Sequence, residues 1–254
     1  MVPTVLGTLS RVSRSRAAKA RIGQDGRVAS TDRVRPDVPA LTIGILGGSG
    51  PQGGGLGLRF AAAGHLVLIG SRSTERGQQA AAALARPGLR IEGAGNATVA
   101  ERADVVIIAV PWEGHRQTLA ALREPLAGKI VIDCVNPLGF DKGGAFALAV
   151  PEGSAAQQAA AVLPDSTIVA AFHHVSAVLL ADDAVTKIDT DVLVLGDDRA
   201  ATDLVAALAE RIPGMRGIYA GALRNAGQVE ALTANLISVN RRYKSHAGLR
   251  VTDV

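Results

Sequence analysis

Short apolar runs alternate along this chain with longer segments whose apolar residues recur every three or four positions, from Leu41 nearly to the C-terminus. The run Leu41 to Leu46 predicts a buried strand. Leu56, Leu58, Phe60 and Ala63 then mark a helix, with Gly64 as its stop. His65 to Gly70 predicts a second strand, Thr74 to Arg86 a helix ended by Pro87-Gly88, Leu89 to Glu92 a short strand and Asn96 to Arg102 a small helix. The unbroken apolar stretch Asp104 to Val110 reads as a parallel strand covered on both faces. A helix from His115 to Leu126, a strand from Lys129 to Asp133, a loop from Pro137 to Ala149 and a helix from Ser154 to Leu163 follow. Thr167 to Phe172 and Asp191 to Gly196 predict strands, and Arg199 to Ile212 a helix. Met215 to Tyr219 predicts a short strand, and Leu223 to Tyr243 a last long helix with an apolar stripe at Leu223, Val229, Leu232, Leu236, Val239 and Tyr243.

Strands alternating with helices at this spacing imply βαβ units and helices on both faces of a sheet. The expected fold class is α/β: a Rossmann-type, doubly wound, mostly parallel sheet with a smaller C-terminal helical part. Ligands of such sheets lie beyond the carboxyl ends of the strands. That rule directs attention to residues 47–53, Ser71-Arg72, residues 110–112, residues 133–138 and His173-His174.

The first strand runs into Gly47, Gly48, Ser49, Gly50 and Gly53, and the spacing Gly48-x-Gly50-x-x-Gly53 is the dinucleotide fingerprint in its strand-to-helix context. Glycines keep the turn tight and let the backbone approach a pyrophosphate. The helix start adds unpaired N–H groups and partial positive charge. A glycine-rich turn that binds nothing is the alternative. The end of the second strand then selects the cofactor. An NAD site would carry an acidic residue there for the ribose hydroxyls. Here it reads Gly70-Ser71-Arg72, with Arg76 one turn later. Two guanidinium groups and a hydroxyl suit a 2′-phosphate, so the cofactor expected is NADP(H).

Composition narrows the partners. Of 254 residues, 48% are hydrophobic and only 3% aromatic, so Ala, Val, Leu and Ile must fill the core. The net charge of +4 is misleading as a whole-chain figure: residues 1–40 carry eight Lys/Arg against three Asp/Glu, and the remainder nineteen against twenty. The folded body is nearly neutral, which argues against nucleic acid as a partner. The single cysteine, Cys134, rules out an internal disulfide or a multi-cysteine metal site and fits a reducing, cytoplasmic setting. No apolar run reaches the ~18 residues of a membrane span. Residues 1–40 lack periodicity and read as a basic, disordered extension or as the product of a start codon placed too early; an Arg-rich, acid-poor segment is also compatible with a transit peptide.

Taken in order, GGSGPQGGGLGLRFAAAGH, IGSR, AVPWEGH, IDCVNPL and AFHHVSA resemble the NADPH-dependent coenzyme F420 reductases, which pass hydride between NADP(H) and a deazaflavin. The resemblance covers Leu41 almost to the C-terminus. It implies an NADP-binding Rossmann domain over residues 41–180 and a smaller C-terminal subdomain over residues 181–254 that completes the deazaflavin site. It also implies that Ser49, Gly50, Pro51 and Gln52 form the phosphate turn, to which the fingerprint adds Gly53, and that Ser71, Arg72 and Arg76 hold the 2′-phosphate. Trp112, Arg116, Leu138 and Ala177 would line the nicotinamide half. His173 would stand beside the deazaflavin as the residue nearest the chemistry, and Ala247 would supply a C-terminal backbone contact. No metal is implied.

Simpler roles compete at several of these positions. Trp112 could merely cover the sheet end. Adjacent strand residues point to opposite faces, so one of His173 and His174 is expected at the cofactor and the other in packing. His65 and His115 begin a strand and a helix, where structural roles are common. Asp197-Asp198 reads as a turn with a helix N-cap rather than a metal site. Other functions compatible with the sequence are reduction of an imine, ketone, flavin or ferric acceptor, and a non-enzymatic NADP(H) sensor. An imine or ketone reductase would want a proton donor from the C-terminal helix, where Glu230 is present but no Lys occurs before Lys244. The apolar stripe of that helix also predicts a homodimer.

Overall fold

The apolar runs of the sequence assemble into one sheet in the computed structural model, which describes residues 38–254. Of the extension expected over residues 1–40, only the last three fall within the described residues, and Val38 among them is buried in the core. β1 (Thr42–Leu46) leads through α1 (Pro51–Ala62) to β2 (Leu66–Ser71), then α2 (Thr74–Leu84), β3 (Ile91–Gly95), α3 (Asn96–Arg102) and β4 (Val105–Ile108). A 3-10 turn at Trp112–Gly114 opens into α4 (His115–Ala120) and α5 (Arg123–Leu126), followed by β5 (Ile130–Asp133). Next come a hairpin of β6 (Leu138–Asp141) and β7 (Gly144–Ala147), α6 (Ala155–Val162), β8 (Thr167–Ala170) and α7 (Ala177–Ala181). The chain ends with β9 (Thr190–Gly196), α8 (Arg199–Glu210), β10 (Met215–Gly221), a 3-10 turn at Leu223–Asn225 and α9 (Ala226–Tyr243).

The strand order is β10-β9-β8-β5-β4-β1-β2-β3, parallel throughout except where β9 runs antiparallel to β8. Order reverses at β1, whose two neighbours are β2 and β4, so the crevice between β1 and β4 is the switch point where such sheets take ligands. Alternation along the central strands fills both faces. Ile43, Ile45, Val105 and Ile107 enter one core, and Leu46, Val106 and Ile108 the other. On the first face Phe60 of α1 meets Phe172 edge to face, at 5.9 Å between ring centres. β9 and β10 extend the same sheet, so the C-terminal part adds strands as well as helices.

Four local expectations change. Residues 137–149 form the β6–β7 hairpin, not a loop; its tip is closed by Asp141 Oδ1, which accepts from the N–H groups of Gly143 and Gly144. Two four-residue strands rich in Gly lack the run length that marks a strand. The helix expected over residues 115–126 breaks into α4 and α5 because Pro125 has no N–H to give the Ala121 carbonyl. The five-residue α7 was below the reach of any periodic pattern, although Ser176 caps it. Finally, β8 stops at Ala170, and Phe172 takes a left-handed φ of 65° that turns the chain, so His173 and His174 lie on a turn instead of a strand.

Candidate active site

The fingerprint turn is shaped by contacts its glycines alone permit. Gly47 has φ +83°, and a side chain there would meet the Ala109 carbonyl oxygen at 2.5 Å. At Gly53 a Cβ would stand 2.8 Å from the Gly47 carbonyl oxygen and 2.9 Å from the Gly48 Cα, so this glycine lets α1 dock against the β1 end. The N-cap Gly50 offers no side-chain bond and Pro51 at the first position has no N–H. The backbone N–H groups of Gln52 and Gly53 in the first turn therefore have no intrahelical acceptor, which fits an anion there.

Beside this turn lies a cavity of about 630 Å³ whose lining includes Ser49, Ser71, Arg72, Arg76, Asn96 and Pro111. Arg72 and Arg76 are exposed, and among the described residues neither has an ion-pair partner. Their charge is thus uncompensated at the end of β2. Ser73 caps α2 by accepting from the Arg76 N–H at 3.4 Å, which fixes the arginine-bearing turn. Gly77 presses that helix onto β3: an added Cβ would sit 2.2 Å from the Ala94 carbonyl oxygen.

A second cavity, of about 440 Å³, shares Val110 and Pro111 with the first. Gln52, Trp112, Asn136, His173, Ala177 and Thr233 are among its walls. The carbonyl of His173 is held twice, by Asn136 Nδ2 at 2.8 Å and by Thr233 Oγ1 at 3.2 Å. Burial drives the His173 pKa down to about 4, against the opposing pull of Asp133, so its ring is neutral near neutral pH. Neither of its ring nitrogens is exposed or well hydrogen-bonded within the protein. His174 also borders the cavity, but its Nε2 donates to the Asp191 carbonyl at 2.7 Å, and burial lowers its pKa as well. The carbonyl can only accept, so Nε2 carries the proton.

The C-terminal strand of chain after α9 is tied across this end of the sheet. Lys244 ends α9 in a left-handed conformation, His246 borders the cavity, and the Ala247 N–H donates to Asn240 Oδ1 at 2.6 Å. The segment is then anchored on β9: the Leu249 carbonyl accepts from the Asp191 N–H at 2.7 Å, and the Val251 N–H donates to Asp191 Oδ2 at 2.7 Å.

The residues singled out from the sequence thus divide four ways. Ser49, Ser71, Arg72 and Arg76 line the larger cavity, and Gln52, Trp112, His173 and Ala177 the smaller one. Gly50, Pro51 and Gly53 build the turn between them. Arg116, Leu138 and Ala247 border neither cavity: Arg116 pairs with Glu152, Leu138 begins the hairpin, and Ala247 sits in the strap. Asn136, Thr233, Asn240 and His246 were missed as individual residues. On α9 the spacing of Thr233, Ile237 and Asn240 puts them on one face, a signal the sequence did carry. Asp198 caps α8 through Ala201 N–H, and Asp197 accepts from Leu223 N–H, in keeping with the N-cap reading of that pair. The Cys134 thiol is buried, donates to the Ile108 carbonyl and is held protonated by burial. Among the described residues no group of three or more His, Cys, Asp or Glu is arranged to hold a metal, and no helix is long and apolar enough to cross a membrane.

Comparison with known proteins adds a direct signal. A family profile described as NADP oxidoreductase, coenzyme F420-dependent, matches residues 42–137. The F420-dependent NADP reductase of Methanothermobacter marburgensis is 40% identical over 223 residues, which are 84% of this chain and 99% of that protein. Its counterpart in Methanocaldococcus jannaschii is 38% identical over 84% of this chain and 99% of its own length. A crystal structure from Arthrobacter sp. FB24, described as a proposed F420-dependent NADP reductase, aligns with a TM-score of 0.69 at 26% identity, covering 84% of this chain and all of that one.

Proposed function

Because this chain belongs to the coenzyme F420-dependent NADP oxidoreductase family, we propose that it transfers hydride between NADP(H) and coenzyme F420. The observation that carries the reading is the common wall of the two cavities. Val110 and Pro111, at the end of β4, face both the arginine-lined space and the one bordered by Trp112 and His173. A dinucleotide whose 2′-phosphate lies at Ser71, Arg72 and Arg76 would cross the N-terminus of α1 and enter the smaller cavity with its nicotinamide. Bound together, the nicotinamide and the deazaflavin supply the hydride chemistry, and the protein supplies alignment and exclusion of water.

The chain's own residues divide that work. Backbone N–H groups of the 49–53 turn hold the pyrophosphate. Trp112 and Ala177 close the nicotinamide side, and Arg116 and Leu138, which border neither cavity, could reach the nicotinamide only after a shift of their side chains. His173 supports the deazaflavin as a neutral ring, and the backbone at Ala247 acts on the site through Asn240, which borders the smaller cavity. Reduction of a ketone or imine would need a proton donor at the cavity. Glu230 does not serve: it is 2% exposed and its carboxylate accepts from the N–H groups of Ala155 and Ala156 at the start of α6. The protein acts in the cytoplasm as a homodimer on this reading, consistent with its lone reduced cysteine and the apolar stripe of α9. A mixed-cofactor absorbance assay tests the function. NADPH should be consumed only when the deazaflavin is added; consumption with an imine or ketone instead, or with no acceptor, would refute it.

A further inference from the structure

Behind the common wall lies a buried polar chain that hydride transfer does not by itself require. His115 and Asp133 are both 0% exposed. His115 Nε2 lies 2.7 Å from Asp133 Oδ2, and its Nδ1 lies 3.0 Å from Gln158 Oε1. Gln158 Nε2 in turn faces Glu152 Oε2 at 3.2 Å. A carboxylate only accepts, so the amide nitrogen of Gln158 must point to Glu152 and its oxygen to His115. Nδ1 of His115 is therefore a donor. The Asp133 carboxylate on the other side accepts from the Val135 N–H through Oδ1 and faces Nε2 through Oδ2. Both ring nitrogens of His115 face acceptors, and an imidazole that donates from both nitrogens is an imidazolium.

The groups packed round it agree. Asp133 comes from β5, Glu152 and Gln158 from the start of α6 and the loop before it, and Glu230 from α9. Arg116 from α4 is neutralised by Glu152, and the nearby His173 is neutral. Burial alone would lower the His115 pKa, but Asp133, Gln158 and Glu230 raise it above the ordinary value. The ring of Trp112 lies tilted over that of His115, 5.6 Å between centres, within range of a cation–π contact.

We propose that His115 is an imidazolium at neutral pH and a positioning residue for hydride transfer, locking the Trp112 wall against the Cys134–Asn136 floor of the smaller cavity. Trp112 leans on one face of the ring, and Asp133, immediately before that floor, grips its edge. Neither His115 nor Asp133 borders either cavity, so the pair acts through its neighbours. A buried ion pair is poor evidence for stability in itself; here it joins two segments that must not shift when rings are stacked for transfer. The proposal rests on the hydride-transfer reading, yet its charge can be measured without any acceptor.

Nitrogen-resolved NMR of the full-length protein at pH 8 should show a histidine with both ring nitrogens protonated, and His115→Gln should erase it. His65, His173 and His174 all have lowered pKa values and stay neutral there. The sole tryptophan gives a second readout: fluorescence of Trp112 should rise at alkaline pH as the quenching imidazolium loses its proton, and the rise should vanish in His115→Gln. In Asp133→Asn, single-turnover hydride transfer should fall roughly tenfold or more, as expected for misplaced reacting groups. Binding of adenosine 2′,5′-bisphosphate, which needs only the arginine-lined cavity, should not change, and the alkaline loss of rate expected of the unmodified protein should be absent from the variant. A neutral His115 at pH 8 overturns the proposal even if the variants do not fold. So does a folded Asp133→Asn protein with an unaltered rate and pH profile. If the unmodified protein reduces no deazaflavin, the functional reading fails, while NMR and fluorescence still decide the charge.

Discussion

Gln52 Nε2 donates to the carbonyl of Phe172 at 3.0 Å, joining the first turn of α1 to the turn that carries His173 and His174. One residue thus belongs to the nucleotide turn through its backbone and to the smaller cavity through its side chain. Phe172 needs such a restraint, because a left-handed φ costs a residue with a Cβ about 1 kcal/mol or more. In Gln52→Leu the phosphate-facing N–H remains and only the bond to Phe172 is lost. A neutral hydrogen bond contributes about 0.5–1.5 kcal/mol, or roughly 2- to 12-fold. The KM for the deazaflavin should rise within that range while NADPH affinity changes little. A larger loss for NADPH would place the amide on the phosphate instead.

Arg72→Ala should weaken NADPH selectively. The 2′-phosphate alone distinguishes NADPH from NADH, and a charge-assisted hydrogen bond contributes about 1.5–3 kcal/mol, or roughly 10- to 150-fold. Arg76 lines the same cavity, so the lower half of that range is expected. Titration of the folded variant should leave NADH binding nearly unchanged. Equal losses for both cofactors would make Arg72 structural.

How much of this site the sequence revealed depends on how local its signals are. Gly53, Ser71, Arg72 and Arg76 were legible because a fingerprint and a strand end are read from contiguous residues. The unbroken apolar runs of β1 and β4 likewise announced strands buried in the sheet, that of β4 covered on both faces. Convergence over long separations was not legible: Thr233 meets Asn136 across 97 positions, and the period of α9 does not say which loop its polar face will meet. The β6–β7 hairpin and α7 were too short for periodicity, and the left-handed Phe172 displaced two histidines that strand alternation had put on opposite faces. His115 read as a helix start, and only its partners reveal its charge.

The apolar stripe is buried at Leu223, in the 3-10 turn before α9, and at Val229, but leaves Val239 37% and Tyr243 73% exposed. The neighbouring hairpin, whose β7 packs on α9, exposes Phe140 at 70% and Phe146 at 44%. Such clustered apolar surface marks an association site. Sedimentation should find a dimer at micromolar concentration, and Val239→Asp with Tyr243→Asp should yield a monomer. An unmodified protein that sediments as a monomer would leave the patch without this explanation.

The neutral His173 predicts a pH dependence of stability. Its folded pKa of about 4 lies below the ordinary 6.5, so between these values the unfolded chain binds a proton that the native protein refuses. Stability should fall as pH drops through that window, by about 3 kcal/mol from this group. Glu230 acts in the opposite sense. Burial raises its pKa to about 7 against the Ala155 and Ala156 N–H groups, so acid relieves a buried charge there. Comparison with His173→Leu isolates the histidine: the gap in unfolding free energy between the two proteins should change by that amount from pH 6.5 to pH 4. Parallel pH profiles would show that the ring is solvated in solution.

Asp191 should control the strap without touching the nucleotide half. Its carboxylate, 0% exposed, receives Arg216 Nε at 2.6 Å and Nη2 at 2.5 Å, Arg250 Nη1 at 2.5 Å and the Val251 N–H at 2.7 Å. Burial would raise its pKa, but the hydrogen bonds from Arg216, Val251 and Arg250 hold it below the ordinary carboxylate range. The same residue's carbonyl fixes the tautomer of His174 at the cavity, so strap and cavity share one anchor. In Asp191→Asn the anion facing two partly exposed arginines is removed, so the destabilisation should stay below the ~3–5 kcal/mol of a fully buried pair. The amide cannot accept from every one of these donors, so the segment after α9 should come loose. Amide exchange at Leu249 and Val251 should speed up, and the KM for the deazaflavin should rise as His246 and Ala247 lose their places. Binding of adenosine 2′,5′-bisphosphate should stay as it was, because Arg72 and Arg76 lie at the far end of the sheet, beside β2. A variant with fast exchange but an unchanged deazaflavin KM would separate the strap from the acceptor site.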